Sequence, residues 1–248
     1  MARTQYEILV ANYGSGKTEI SLNMALDAVK EGKKVALVDL DIVNPYFRSS
    51  AKRAVLEDAG VKVIASEFAN TPIDLPLVAA ETARIFKDEF DLAIVDVGGD
   101  PVGATALGRY KEEFSRLLDR LNTNFVINAS RPQTMNLEDI RVMFDLIESR
   151  SRLKMKWLIN NTNLAYESSG QNLLDGQKLV ENVSKTFELP IRYIVGKQQV
   201  LDEFAKLAGE EGFKYQGELR PITPLMRQAW MDTQLHTPRT LPKFGPMR

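Results

Sequence analysis

The chain contains no cysteine and a single histidine, His236, among its 248 residues. Without cysteine there is no disulfide framework, no thiolate ligation of zinc or of an iron–sulfur cluster, and no cysteine nucleophile. One histidine, in a polar and proline-containing tail, leaves no basis for histidine acid–base chemistry. No apolar run approaches the length that spans a bilayer. Residues 1–5 carry no apolar stretch of signal-peptide length, so a cytoplasmic location is expected. Charge of one sign is lacking too: 32 Lys and Arg against 33 Asp and Glu give a net charge of −1. Nothing in that total points to nucleic acid as a partner. No basic, aromatic-tipped amphipathic helix that would anchor the chain to a membrane is evident.

What the sequence does have is alternation. Short apolar runs at 6–11, 34–39, 61–65, 92–97, 124–128, 156–160 and 191–195 read as strands. Most are continuously apolar, as expected of strands covered by helices on both faces. Helical patterns fill the intervals at 17–31, 47–59, 75–87, 105–121, 137–150, 173–187 and 200–209. The fold class expected is α/β: one doubly wound, mostly parallel sheet of about seven strands flanked by helices. A nucleotide-binding domain over 1–220 precedes a different stretch, 221–248, read as a short helix at 224–232 and an extended tail.

The first strand runs directly into Asn12-Tyr13-Gly14-Ser15-Gly16-Lys17-Thr18 and then into a helix. This strand–loop–helix context is that of a Walker A phosphate loop. Glycines at 14 and 16 let backbone N–H groups turn inward around a polyphosphate, and the following helix adds its positive end. The nucleotide-binding stretch expected is therefore Gly14, Ser15, Gly16, Lys17, Thr18 and Glu19. Lys17 is placed to contact the β- and γ-phosphates, and the Thr18 hydroxyl to ligate Mg²⁺. The loop departs from G-x-x-x-x-G-K-[ST] at its first position, Ala11. Three aspartates sit where carboxylates belong in such a site. Asp39 and Asp41 follow the second apolar run, and Asp96 ends Leu92-Ala93-Ile94-Val95 in the form of a Walker B strand. Gly98 and Gly99 follow, with backbone N–H groups able to sense a γ-phosphate.

On these residues the chain resembles the MinD/ParA-like branch of P-loop proteins, the SIMIBI class. The resemblance runs from Tyr6 to about Ala208 and is most specific at 11–18, 39–41 and 96–99. It implies that Asp39 and Asp96 hold Mg²⁺ through water, and that Asp41 orients the attacking water. It also implies that Asn161 or Asn160 meets the adenine edge. No Asn-Lys-x-Asp guanine-reading motif occurs, which favours ATP over GTP. The family's second lysine would fall at position 12, which is Asn12, and Tyr13 replaces a glycine. That lysine reaches across a homodimer in the family, so charge compensation here has to come from elsewhere. Arg48, Arg109 and Arg131 are the candidates by position.

Three functions follow. The leading one is a slow, Mg²⁺-dependent ATPase in which loops at Asn44 and Gly98 switch with nucleotide state and a protein partner, or a second copy, reads the change. Tyr46 and Phe47 are either part of such a reading surface or a staple for the next helix. The second is a metabolic enzyme that phosphorylates a small acid, bound near Arg131-Pro132-Gln133-Thr134. The third is a nucleotide-binding scaffold without turnover.

Overall fold

The computed structural model describes residues 3–41, 50–65, 82–87, 89–99 and 101–226. Its strands are β1 (Gln5–Ala11), β2 (Val35–Leu40), β3 (Val61–Ala65), β4 (Leu92–Val97), β5 (Leu121–Ile127), β6 (Trp157–Asn160), β7 (Ile191–Gly196) and β8 (Glu218–Pro221). Among the described residues they form one sheet of eight strands in the order β3-β2-β4-β1-β5-β6-β7-β8. Every neighbouring pair is parallel. All seven expected strands are present, and the doubly wound α/β class holds.

The helices are α1 (Lys17–Lys30), α2 (Ser50–Asp58), α3 (Pro101–Leu107), α4 (Lys111–Ser115), α5 (Leu137–Ser151), α6 (Gly170–Phe187) and α7 (Gln198–Glu210). Alternation along the strands splits the core into two apolar layers. On β1, Leu9 and Ala11 face one layer with Ile20, Met24 and Ala25 of α1. Tyr6, Ile8 and Val10 face the other, with Leu107, Phe114, Ile140, Phe144 and Val180 from α3 to α6. Both faces of the strands are thereby removed from water, which is why the runs are continuously apolar.

Helix ends follow local chemistry. Asn136 caps α5 by accepting from Asp139 N, and Ser169 with Asn172 forms a capping box on α6. The helix α1 differs: its cap is Gly16 in the left-handed region, φ 86°, with no side-chain cap.

Several expectations meet a different structure. The helix expected over 105–121 is broken into α3, a turn at Gly108–Tyr110, and α4. At Gly108 a Cβ would lie 2.6 Å from the Arg150 carbonyl, so the chain turns where it abuts the end of α5. The strand β5 starts at Leu121, three residues early, because Asn122 and Asn124 have polar partners across the sheet. The strand β8 was not expected: it is short, charged and ends in proline, as edge strands do. Of the helix expected over 75–87, the described end is a 3₁₀ turn, Ala83–Lys87. Pro221, where the tail was expected to begin, is the last residue of β8, and 222–226 are not helical. The rest of the expected 224–232 helix lies outside the described residues, as do Asn44 to Arg48.

Candidate nucleotide site

The order β4-β1-β5 makes the carboxyl end of β1 the point where chain direction across the sheet reverses, and ligands of such sheets sit there. The loop 12–16 leaves β1 at that point. Gly16 has φ +86°, and a Cβ on it would lie 2.3 Å from Asn161 Nδ2. That left-handed backbone favours glycine. The cap residue of α1 is glycine, so no side chain caps the N–H groups of its first turn. Lys17 is buried at 7% exposure, with Nζ 3.4 Å from the Asn12 carbonyl.

The carboxylates converge on the same edge. Parallel pairing of β2 with β4 sets Asp39 directly beside Asp96. Both lie on the α1 side, in phase with Leu37 and Ile94. Strand geometry does not persist to Asp41: β2 ends at Leu40, and Asp41 N donates to Asp39 Oδ1 at 2.9 Å. Asp41 instead rests against Gly98, whose Cβ would lie 3.3 Å from Asp41 Oδ1. At Gly99 a Cβ would lie 2.7 Å from Tyr13 Cα, so the loop after β4 is seated on the phosphate loop itself.

Asp96 is 2% exposed, and its Oδ1 has no hydrogen-bond partner among the described residues. Burial pushes its carboxyl up to about 6, against the opposing pull of Lys17 and of the Thr18 and Ser21 hydroxyls, with Asp41 pushing it further up. Ser15 Oγ is also buried without a hydrogen-bond partner among the described residues. A buried carboxylate and an unpaired hydroxyl beside a lysine suit a site that takes a cation and an oxygen-rich ligand. Thr18, Asp39 and Asp96 supply hard oxygen donors suited to Mg²⁺. No group of three or more His, Cys, Asp or Glu able to hold a metal occurs among the described residues.

Beyond the phosphate loop, a cavity of about 240 Å³ opens among the loops after β1, β5, β6, β7 and β8. Asn160 and Asn161, the alternatives expected at the base, differ in their surroundings. Asn160 is fully buried; its Nδ2 donates to Gln177 and its Oδ1 accepts from Thr162 N and Oγ1. It does not border the cavity. Asn161 does, and its Nδ2 donates to the Ser15 carbonyl at 2.7 Å, bracing the phosphate loop.

The far wall is a segment that sequence reasoning missed. Ile222, Pro224 and Met226 line the cavity. Glu19 holds this segment by accepting from Leu225 N and Met226 N, while Asn23 exchanges two bonds with the Thr223 backbone. Burial raises the Glu19 carboxyl above its ordinary value, partly offset by those two N–H groups. No local pattern announces a strap that docks some 200 residues away in sequence. Of the candidate arginines, Arg131 lies on the phosphate loop, Nε donating to the Gly14 carbonyl at 3.0 Å. Arg109 lies in the turn after α3, and Arg48 is outside the described residues.

The fold has solved relatives. The chain superposes on the cell division protein FtsY of Thermotoga maritima with TM-score 0.55 at 16% identity, covering 77% of this chain and 61% of that one. For chloroplast FtsY of Physcomitrella patens the values are 0.52, 15%, 77% and 58%. For the signal recognition particle receptor FtsY of Elizabethkingia anophelis in complex with GDP they are 0.51, 15%, 77% and 57%. The chain thus spans about three fifths of the length of these structures, and at such identity the likeness is one of fold. No curated protein matches the sequence. No helix among the described residues is long and apolar enough to cross a membrane. The family model for the CobQ/CobB/MinD/ParA nucleotide-binding domain matches residues 12–198, from the phosphate loop to the start of α7. This chain is a P-loop nucleotide-binding protein and belongs to that MinD/ParA-like family, with asparagine at the position of the second lysine.

Proposed function

We propose that the protein binds Mg·ATP and acts as a slow ATPase whose nucleotide state is read by a protein partner or a second copy. The observation that carries the metal and phosphate part is Asp96, a buried carboxylate beside Lys17 and Thr18 with one oxygen left without a hydrogen-bond partner among the described residues. In this reading Lys17 and the N–H groups of Gly14 to Glu19 hold the phosphates. Thr18, Asp39 and Asp96 hold Mg²⁺, which would screen phosphate charge, and Asp41 orients water.

Adenine is favoured by what borders the cavity. Guanine presents N–H donors that call for an acceptor such as a carboxylate, whereas adenine presents one donor and one acceptor. Three residues past Asn161 stands Leu164, not an acid. The carboxylate bordering the cavity, Glu19, is already engaged by Leu225 and Met226 N–H. A guanine reading has one observation behind it, the GDP-bound FtsY among the fold relatives. Equilibrium titration separates them: ATP is expected to bind at least about 10-fold tighter than GTP, the discrimination one misplaced hydrogen-bonding group supplies. Equal or tighter GTP binding overturns the adenine assignment.

The switch part rests on Gly98 and Gly99, which touch Asp41 and the phosphate loop at once. Hydrogen exchange over 98–103 is expected to slow with a non-hydrolysable ATP analogue relative to ADP. Identical exchange in both states would remove the switch. Turnover that appears only with a small carboxylic acid would instead identify a metabolic enzyme.

A further inference from the structure

The segment after β5 is fastened to the phosphate loop in two places. Asn12 Nδ2 donates to Gln133 Oε1, and Arg131 Nε donates to the Gly14 carbonyl at 3.0 Å. The segment is also folded upon itself. Arg131 N donates to the Asn128 carbonyl at 3.1 Å, and Thr134 Oγ1 donates to that same carbonyl at 2.6 Å. Ser130 N donates to Asn128 Oδ1 at 3.0 Å. Pro132 narrows the backbone further. Arg131 is therefore delivered to the rim of the site by a braced turn, although its side chain is open to solvent.

Position 12 cannot supply the missing charge. The Asn12 side chain is neutral, buried, and spent on Gln133 and on Tyr13 N. Arg131 borders the cavity together with Gly14, Gly16 and Asn161. Its Nε is used, but among the described residues its two Nη nitrogens make no hydrogen bond. A guanidinium offers a planar fork that matches phosphate oxygens, and charge-assisted bonds of this type are about twice as strong as neutral ones.

We propose that Arg131 is the second phosphate-binding cation of this site: held by Nε on the Gly14 carbonyl, it donates through Nη to the polyphosphate of the nucleotide bound in the same chain. The inference rests on the nucleotide-binding reading above. It makes Asn12 and Arg131 two halves of one change, in which position 12 gives up a cation and, through Gln133, helps to seat another.

The test is binding of ATP, ADP and adenosine to the wild type, Arg131→Gln and Arg131→Lys, with thermal melts to establish folding. Arg131→Gln is expected to weaken ATP and ADP by about 10- to 100-fold and to flatten the salt dependence of ATP binding, leaving adenosine unchanged. Arg131→Lys, which keeps the charge but loses the Nε brace, is expected to recover most of the ATP affinity. ATP binding within about twofold of wild type in Arg131→Gln overturns the proposal. So does a parallel loss of adenosine, or Lys performing no better than Gln, since either marks a brace rather than a phosphate contact. Lys17→Ala run alongside separates the two claims. If it abolishes ATP binding while Arg131→Gln does nothing, only the inference fails; if it leaves ATP binding intact, the nucleotide reading itself fails.

Discussion

Two buried carboxylates mark opposite ends of the central strands, and their surroundings could hardly differ more. Glu7, near the start of β1, is enclosed by partners. Arg192 of β7 grips it at 2.6 and 2.9 Å, and Asn122 and Asn124 of β5 each donate to it at 2.9 Å. Trp157 Nε1 closes the network on Asn122 at 3.1 Å. At the other edge, Asp96, next to last in β4, has one oxygen without a hydrogen-bond partner among the described residues and its carboxyl pushed up to about 6. A satisfied buried charge specifies architecture; here it ties β1, β5, β6 and β7 together. An unsatisfied one is a standing cost that a ligand or a proton relieves, and it lies at the carboxyl edge, where the nucleotide site is proposed.

The largest test of that contrast is a pair of isosteric substitutions with opposite signs. Glu7→Gln strands the Arg192 guanidinium and is expected to lose about 3 kcal/mol or more in chemical denaturation. Asp96→Asn removes a buried anion and is expected to stabilise the ligand-free protein by up to about 3 kcal/mol, the worth of a shift from 3.8 to about 6. The same variant should lose Mg²⁺-dependent nucleotide binding. Destabilisation by both would end the comparison.

A smaller effect follows from pH. The folded-state value of Asp96 lies above its ordinary one, so its favourable contribution is complete below about 3.8. It is lost as pH rises through about 6. Magnesium needs the ionised form, so the Mg²⁺-dependent part of nucleotide affinity is expected to fall as pH drops below about 6. Titration calorimetry between pH 5 and 8 (roughly the range in which the ionised fraction changes most) reads this directly. A flat profile would mean that Asp96 does not meet the metal.

The smallest expected effect is at Glu19. Glu19→Gln keeps the shape but weakens the acceptor for Leu225 and Met226 N–H, so the strap at 222–226 loosens. Nucleotide affinity is expected to drop by about 3- to 10-fold, with adenosine falling in parallel because a wall of the cavity proposed for the base is affected. Loss of ATP affinity with adenosine unchanged would assign Glu19 to the phosphates instead.

Much of this was legible in the sequence because the underlying physics is local. Continuous apolar runs such as Leu92 to Val95 mark doubly covered strands, and Gly14-Ser15-Gly16-Lys17-Thr18 between a strand and a helix marks an anion cradle. What stayed hidden is nonlocal. The strand β8 carries no apolar signature because one side faces solvent at the sheet edge. Asn122 falls outside the strand expected from 124 until Glu7 is seen beside it. Asn160 and Asn161 are indistinguishable as adjacent letters, and only the packing of Gln177 and Ser15 separates a core amide from one that borders the cavity. The Glu19 strap and the Arg131 bridge depend on contacts between segments more than 100 residues apart.

The most direct test of the central claim is Mg·ATP titration of the wild type and Lys17→Ala, both shown to be folded. Saturable binding that Lys17→Ala weakens by on the order of 100-fold or more is the predicted result. Equal affinity in the two proteins would contradict a phosphate site at Gly14 to Thr18.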